Sequence, residues 1–269
     1  MDEATILLAG GTDWMVEQEM RRAESPDAKR PLVVDISRMP ELSGVTLEGD
    51  TLRIGAAATY SQIRGHFAAK ERAPLLCRMA NDIGAVQIQA RGTLGGNLAT
   101  ASPAADGVAA LAAYDATIVV RSVRGERRIA FGDLQTGYKR STRAPDEVIV
   151  AIEIALPEAK SPWFWRKVGT RRAQAISKVA LAAVAEVAGG RVTRVGLGMA
   201  SVAAVTATMP NTRAFLREAQ VASITAAALD RAVDSDISPL DDIRSTGEYR
   251  AHCARALTRA FARELGASV

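Results

Sequence analysis

Gly92-Thr93-Leu94-Gly95-Gly96-Asn97-Leu98-Ala99-Thr100-Ala101-Ser102-Pro103-Ala104-Ala105-Asp106 is the stretch around which the chain is organised. It reads as an apolar, glycine-paired turn carrying small polar residues. A helix start follows at once, with Ser102 as N-cap and Pro103 at the first helical position. Gly95 and Gly96 lack Cβ atoms, so another group can approach the backbone closely. Their permissive φ angles can also aim successive N–H groups at one anion. The same character recurs near the N-terminus, where Ile6-Leu7-Leu8 reads as a buried strand ending in Ala9-Gly10-Gly11-Thr12-Asp13. Two such segments in one domain suggest two clamps on one long phosphate-bearing ligand. Thr12, Thr93 and Asn97 suit phosphate or sugar-alcohol hydroxyls, and local turn capping by these residue types stays open beside that reading.

Working outward, Trp14 to Arg22 is expected to be a helix, Pro26 to Arg30 a loop, and Leu32 to Ile36 a second strand. That strand is apolar enough to be buried and parallel to the first, which makes a small βαβ unit. Val45 to Ile54 reads as a hairpin around Glu48-Gly49-Asp50. Thr59 is a good N-cap for a helix to about Ala69, and a further helix covers Pro74 to Ile83. The helix begun at Ser102 runs on to Tyr114. A second hairpin turns at Arg124-Gly125-Glu126, Phe131 to Thr136 is a short helix or turn, and Glu147 to Ile154 is a strand. Composition shifts at Pro157 to Pro162, the best domain boundary. Beyond it come the strand Trp163 to Val168, a long hairpin turning at Gly189-Gly190, and two or three Ala/Arg-rich helices. The class is α+β. The first domain is 1–157, with a small lobe to about 44 and a larger lobe from about 45. The second, 158–269, is a three-stranded antiparallel sheet backed by helices.

The 269 residues can bury a core without staples. The net charge of +4 is mild, and the basic stretches Arg121 to Arg128 and Lys139 to Arg143 read as solvated surface beside turns. Aromatics are too few for a base-stacking platform, so nucleic acid is not an expected partner. The two cysteines, Cys77 and Cys253, are far apart and form no CxxC. A zinc, iron–sulfur or disulfide framework is therefore not expected in this chain, and a reducing cytosol fits. No apolar run is long enough to span a bilayer, and no signal-peptide pattern is visible. G-x-S-x-G and the Walker pattern are absent. Gly196-Leu197-Gly198 opens a GxGxxG-like run, but its sixth residue is Ser201 and the sequence after it is poor helix material. Lys167, Arg171 and Arg172 lie close together around Gly169-Thr170, where they read as a solvated strand end or as cations for an anionic ligand.

Taken together, these residues resemble the flavin-binding medium subunit of the molybdenum hydroxylases, the xanthine dehydrogenase and carbon monoxide dehydrogenase family. Ala9 to Asp13 is similar to its first glycine motif and Thr93 to Asn97 to its second. The second continues through Ala99 and Pro103 to Asp106. The lead-in Gln87 to Gly92, the hairpin Leu52 to Ala56, the strand Asp146 to Ile149 and the segment Lys167 to Lys178 resemble the family too, so the likeness covers nearly the whole chain.

The resemblance implies the two-lobed FAD-binding domain of the p-cresol methylhydroxylase type, plus a C-terminal lobe. FAD would lie between the lobes. Leu7, Leu8, Ala9, Gly10, Gly11, Thr12 and Asp13 would form one clamp and Thr93, Gly95, Gly96 and Asn97 the other. These would hold the pyrophosphate and ribityl chain through backbone N–H groups and short side chains. Asp106 would hydrogen-bond polar groups of the flavin side chain, and Val148 and Ile149 would pack near the ring or the adenine. Lys167 would sit at the isoalloxazine edge and Arg171 on the acceptor side. No residue of this chain would be catalytic on substrate. A partner would carry the molybdenum cofactor and another two 2Fe–2S clusters. Electrons would pass through FAD to NAD+, a quinone or oxygen, in a cytoplasmic dimer of heterotrimers. The alternatives are a free-standing flavin oxidoreductase and a flavin-free scaffold of the same fold. Three departures stand out. The lead before the first glycine motif is shorter than usual, so a reduced or short-started small lobe is expected. Trp14 replaces an aliphatic beside the clamp. Ala105 lacks the hydroxyl that some relatives place there.

Overall fold

The computed structural model describes residues 5–25 and 31–269. The predicted loop Pro26 to Arg30 and the lead before Thr5 lie outside the described residues. In the small lobe, β1 (Thr5–Leu8) leads through α1 (Thr12–Glu24) to β2 (Leu32–Asp35), which pairs with it in parallel, Leu8 opposite Asp35. Burial departs from expectation. β1 is half-buried, β2 is exposed along its length, and α1 buries none of its residues. A sheet two strands wide with a single helix has too little surface to enclose its own apolar side chains.

The larger lobe opens with the hairpin β3 (Val45–Glu48) and β4 (Thr51–Gly55). Five helices follow: α2 (Tyr60–Gly65), α3 (Phe67–Arg72), α4 (Pro74–Asn81), α5 (Val86–Arg91) and α6 (Leu94–Thr100). Thr59 caps α2 with a reciprocal box: its Oγ1 accepts from the Gln62 N–H at 3.2 Å while its own N–H donates to Gln62 Oε1 at 2.8 Å. The predicted single helix to Ala69 breaks at His66, which ends α2 and starts α3 in an extended conformation. Next come α7 (Asp106–Ala113), the hairpin β5 (Thr117–Ser122) and β6 (Gly125–Ala130), α8 (Phe131–Leu134), the short pair β7 (Gln135–Gly137) and β8 (Arg140–Ser141), and β9 (Val148–Ala155). The main sheet is antiparallel in the order β3-β4-β9-β5-β6.

Two expectations about the central stretch need correction. The glycine pair is not a turn before a helix but the first turn of α6, with Thr93 as its N-cap. The following helix begins at Asp106, not at Ser102. Ala101 ends α6 in the left-handed region (φ 50°), and Ser102 to Ala105 close a separate turn, with the Ala105 N–H donating to Ser102 O at 3.1 Å. Ser102 and Pro103 carry start signals, but that turn consumes them.

In the C-terminal region, β10 (Trp163–Val168), β11 (Val179–Ala188) and β12 (Arg191–Ala200) form the expected three-stranded antiparallel sheet. Alternation divides it cleanly. Trp165, Ala180, Ala182, Val184 and Ala200 join the core of the larger lobe. Val179, Leu181, Ala183, Leu197 and Met199 face a second core with α9 (Pro210–Leu216), α10 (Ala226–Asp234) and α11 (Gly247–Glu264). The glycines of the GxGxxG-like run serve packing. A Cβ on Gly196 would stand 1.9 Å from Ala113 O, and one on Gly198 2.0 Å from Ala109 O, so α7 lies with its backbone directly against β12. No helix among the described residues is long and apolar enough to cross a membrane.

Candidate functional site

The two glycine segments, more than eighty positions apart in the chain, meet at one cavity of about 550 Å³ between the small and larger lobes. Close backbone contact brings them together. A Cβ on Gly10 would stand 2.2 Å from Arg91 O, immediately before the second segment, and one on Gly95 would stand 2.5 Å from Ala56 O. Thr100 ties the segments together, donating from Oγ1 to Asp13 Oδ2 at 2.8 Å.

The segments offer a ligand different chemistry. In the first, Gly11 takes φ 74° and lets α1 start at Thr12. The N–H groups of Gly10, Gly11, Thr12 and Asp13 have no hydrogen-bond partner among the described residues. They form a cluster of free donors at the positive end of a helix dipole, suited to a phosphate. In the second, every N–H from Leu94 to Asn97 is engaged. Leu94 donates to Ala58 O at 3.3 Å and Gly95 to Ala56 O at 3.2 Å. Gly96 donates to Thr93 Oγ1 at 3.0 Å and Asn97 to Thr93 O at 3.0 Å. The expectation that this segment holds a ligand by backbone donors is therefore corrected. Its glycines admit a close neighbour, and its side chains are what it presents.

Of the sequence-predicted residues, Leu7, Leu8, Ala9, Gly10, Gly11, Thr12, Asp13, Thr93, Gly95, Gly96, Asn97, Val148 and Ile149 all line the cavity. Asp106, Lys167 and Arg171 do not. Asp106, the first residue of α7, is buried behind the wall, where Lys167 Nζ donates to its Oδ2 at 2.5 Å and Ser177 Oγ to its Oδ1. Lys167 also reaches Asp82 O at 3.1 Å, and Trp165 Nε1 donates to Asp82 Oδ2 at 2.9 Å. Burial pushes the Asp106 carboxyl up, against the pull of the Lys167 ammonium and the two hydrogen bonds. An unpaired carboxylate in that place would be costly, which is why the ammonium turns inward from β10 rather than toward the cavity. Arg171 is exposed and donates to Gln174 O at 2.6 Å.

Sequence reasoning missed several wall residues. Ile36, Tyr60, Ile83 and Ile88 add apolar surface. Lys139, Arg143 and Glu147 come from the β8–β9 region and the turn before it, and the basic run was read as mere solvated surface. Lys139 Nζ lies 3.7 Å from Glu17 Oε1 on α1, so the two lobes also meet across the cavity rim. Arg127, together with the N–H of Ala144, holds the Glu147 carboxyl well below the usual carboxylate range, at about 2. No local pattern marks these residues, because their approach to α1 depends on how β7 and β8 fold back.

The donor set fits an extended nucleotide such as FAD. Free N–H groups wait at α1, apolar walls can take rings, and polar atoms of wall residues lack partners. Trp14 Nε1, Tyr60 Oη and Asn97 Oδ1 are buried and make no hydrogen bond among the described residues. Among the described residues no cluster of His, Cys, Asp or Glu could hold a metal.

Comparison with known proteins bears on this geometry. Residues 2–157 match the family described as the FAD binding domain in molybdopterin dehydrogenase, and residues 165–265 match the CO dehydrogenase flavoprotein C-terminal domain. The chain is 30% identical over 258 residues to the xanthine dehydrogenase FAD-binding subunit of Escherichia coli O157:H7, covering 94% of this chain and 86% of that subunit. It is 36% identical over 181 residues to the nicotinate dehydrogenase FAD-subunit of Eubacterium barkeri, spanning 66% of this chain and 60% of that one. Among solved structures, a chain of the carbon monoxide dehydrogenase of Hydrogenophaga pseudoflava superposes with a TM-score of 0.90 at 25% identity, covering 98% of this chain and 89% of that chain.

Proposed function

This chain belongs to the FAD-binding subunits of the molybdopterin dehydrogenases, flavoprotein oxidoreductase subunits of the xanthine and carbon monoxide dehydrogenase type, and from that premise we propose that it is the electron-transfer member of a multi-subunit molybdenum hydroxylase. The observation that carries the proposal is the meeting of both glycine segments at one interlobe cavity, with free N–H donors at one end and apolar walls around it.

In this reading the start of α1 takes the pyrophosphate, because its N–H groups are unclaimed and need no reorganisation. Thr93 and Asn97 meet the ribityl chain with side chains, and Val148 and Ile149 pack on a ring. Asp106 and Lys167 brace the wall from behind. Their buried pair links α7, which follows the second segment, to β10. Arg171, exposed on the loop after β10, serves the acceptor's side in this reading. FAD, when bound, supplies the ability to take up and pass on electrons singly or in pairs. The chain's own part is to bind it, orient it and shield it from water.

Substrate chemistry falls to a partner with the molybdenum cofactor, and a second partner with 2Fe–2S clusters delivers electrons. NAD+, a quinone or oxygen receives them. The assembly is a dimer of heterotrimers in the cytoplasm, and the boundary between the two domains of this chain falls near residue 157.

The test is the visible absorption spectrum of the purified chain, with release and identification of any nucleotide, followed by addition of an iron–sulfur partner. FAD that is reduced only when that partner is present supports the proposal. Oxidase turnover by the chain alone would move the reading to a free-standing enzyme. No flavin, even after reconstitution with FAD and partners, would leave the scaffold.

A further inference from the structure

Two buried polar atoms beside the second glycine segment have complementary chemistry and lack partners. Tyr60, the first residue of α2, is 2% exposed, and its Oη makes no hydrogen bond among the described residues. The Oδ1 of Asn97 is buried and equally unpaired there. Both border one gap. A Cβ built on Gly107, in the first turn of α7, would stand 2.5 Å from Asn97 Oδ1 and 3.1 Å from Tyr60 Oη. A side chain at 107 would collide with both; glycine leaves the space between them open, and in this structure no hydrogen bond joins them across it. Burial, with the Asp106 and Asp13 carboxylates nearby, pushes the phenol's pKa up, so Oη keeps its proton and remains a donor. A stranded donor beside a stranded acceptor is costly for both, and one hydrogen bond between them removes both penalties.

We propose that Tyr60 is a positioning residue for Asn97: a small rotation of the two side chains across the open gap at Gly107 lets its O–H donate to Asn97 Oδ1, which holds the amide NH2 toward the cavity as a donor to an oxygen of the cofactor's ribityl-phosphate chain. The inference rests on the reading of Asn97 as an FAD-binding residue. An asparagine amide has two faces and can present either oxygen or nitrogen to a ligand. Fixing the oxygen from behind decides which, and an anionic chain needs the nitrogen. Tyr60 thus acts on the cofactor through Asn97.

The experiment titrates FAD into the deflavinated full chain and follows flavin fluorescence for the parent, Tyr60→Phe, Asn97→Ala, the double variant and Gly107→Ala. Tyr60→Phe is expected to weaken binding about tenfold, the size of one hydrogen bond. The double variant should bind no worse than Asn97→Ala, since the phenol has nothing left to orient. Gly107→Ala, whose Cβ would stand 2.5 Å from Asn97 Oδ1 and 3.0 Å from Leu94 Cδ1, should weaken binding similarly and lower the melting temperature as well. The proposal is overturned if Tyr60→Phe binds like the parent. It is also overturned if its loss adds in full to that of Asn97→Ala, which would mean direct contact or general loosening. Should Tyr60→Phe fail to fold, Gly107→Ala decides: parent-like affinity there sinks the idea. If the parent binds no FAD, even with its partners, the FAD reading itself falls and this proposal with it.

Discussion

Lys167 shows how much of this site is settled by a single buried charge. Its ammonium lies against Asp106 with side chains 10% and 7% exposed, so neither group has water to fall back on. Lys167→Met should strand the carboxylate and destabilise the chain by about 3–5 kcal/mol, whereas Asp106→Asn together with Lys167→Met should cost less than that single change. Urea unfolding of the three variants checks the order, and a double variant as unstable as Lys167→Met would refute it. Glu147 works in the opposite sense. Its carboxyl ionises at about 2, against an ordinary value of 4.5, because Arg127 and the Ala144 N–H favour the charged form. A carboxylate whose folded value is depressed contributes stability that is fully present above its unfolded value and is lost as pH falls through the folded one. The contribution of Glu147 should therefore disappear between about pH 4.5 and pH 2. Glu147→Gln should flatten the acid side of the stability–pH curve in that window and leave the shape above pH 6 unchanged.

At the scale of the element, α6 and α7 carry the argument. α6 is seven residues long and carries two glycines in its first turn, a poor helix by propensity. It persists because Thr93 caps it and Ala56 and Ala58 accept the N–H groups of Gly95 and Leu94. Thr93→Ala should cost about 1 kcal/mol in global stability, by removing the cap and leaving the Gly96 N–H without its acceptor. Helix α7 is buried on every side and made of small residues. It touches β12 backbone to backbone at Gly196 and Gly198. Gly198→Ala should destabilise by about 1–3 kcal/mol, since neither the carbonyl of Ala109 nor the strand can yield without breaking its own ladder. Differential scanning calorimetry reads both effects, and an unchanged melting temperature for Gly198→Ala would contradict the packing described.

The whole molecule is held together across its composition boundary. One face of the C-terminal sheet shares the core of the larger lobe, and Trp165, Lys167 and Ser177 reach back to Asp82 and Asp106. Unfolding should therefore be one cooperative event, with a fragment ending at residue 157 exposing apolar surface that the full chain covers. Two well-separated calorimetric transitions would show the regions to be independent. The small lobe is the weaker partner. Its helix and second strand bury almost nothing, so hydrogen exchange should be fastest in α1 and β2 and slow down when FAD spans the cavity.

Local patterns in the sequence reached as far as local physics extends. Apolar runs on either side of the Gly189-Gly190 turn located the C-terminal sheet, turn chemistry located three hairpins, and the paired glycine motifs pointed to both walls of one cavity and, through resemblance, to FAD. These features are legible because each depends on neighbours a few residues away. The tertiary structure decided what depends on distant partners. Ser102 and Pro103 look like a helix start, but a turn held by Ala101 and Ala105 takes them. The N–H groups of the second segment look free, but Ala56 and Ala58 claim two of them. Lys167 looks like a site cation, but a carboxylate sixty-one positions away draws it behind the wall. Charges and hydrogen-bonding groups go to the partner that the fold brings within reach, and no window of sequence contains that partner.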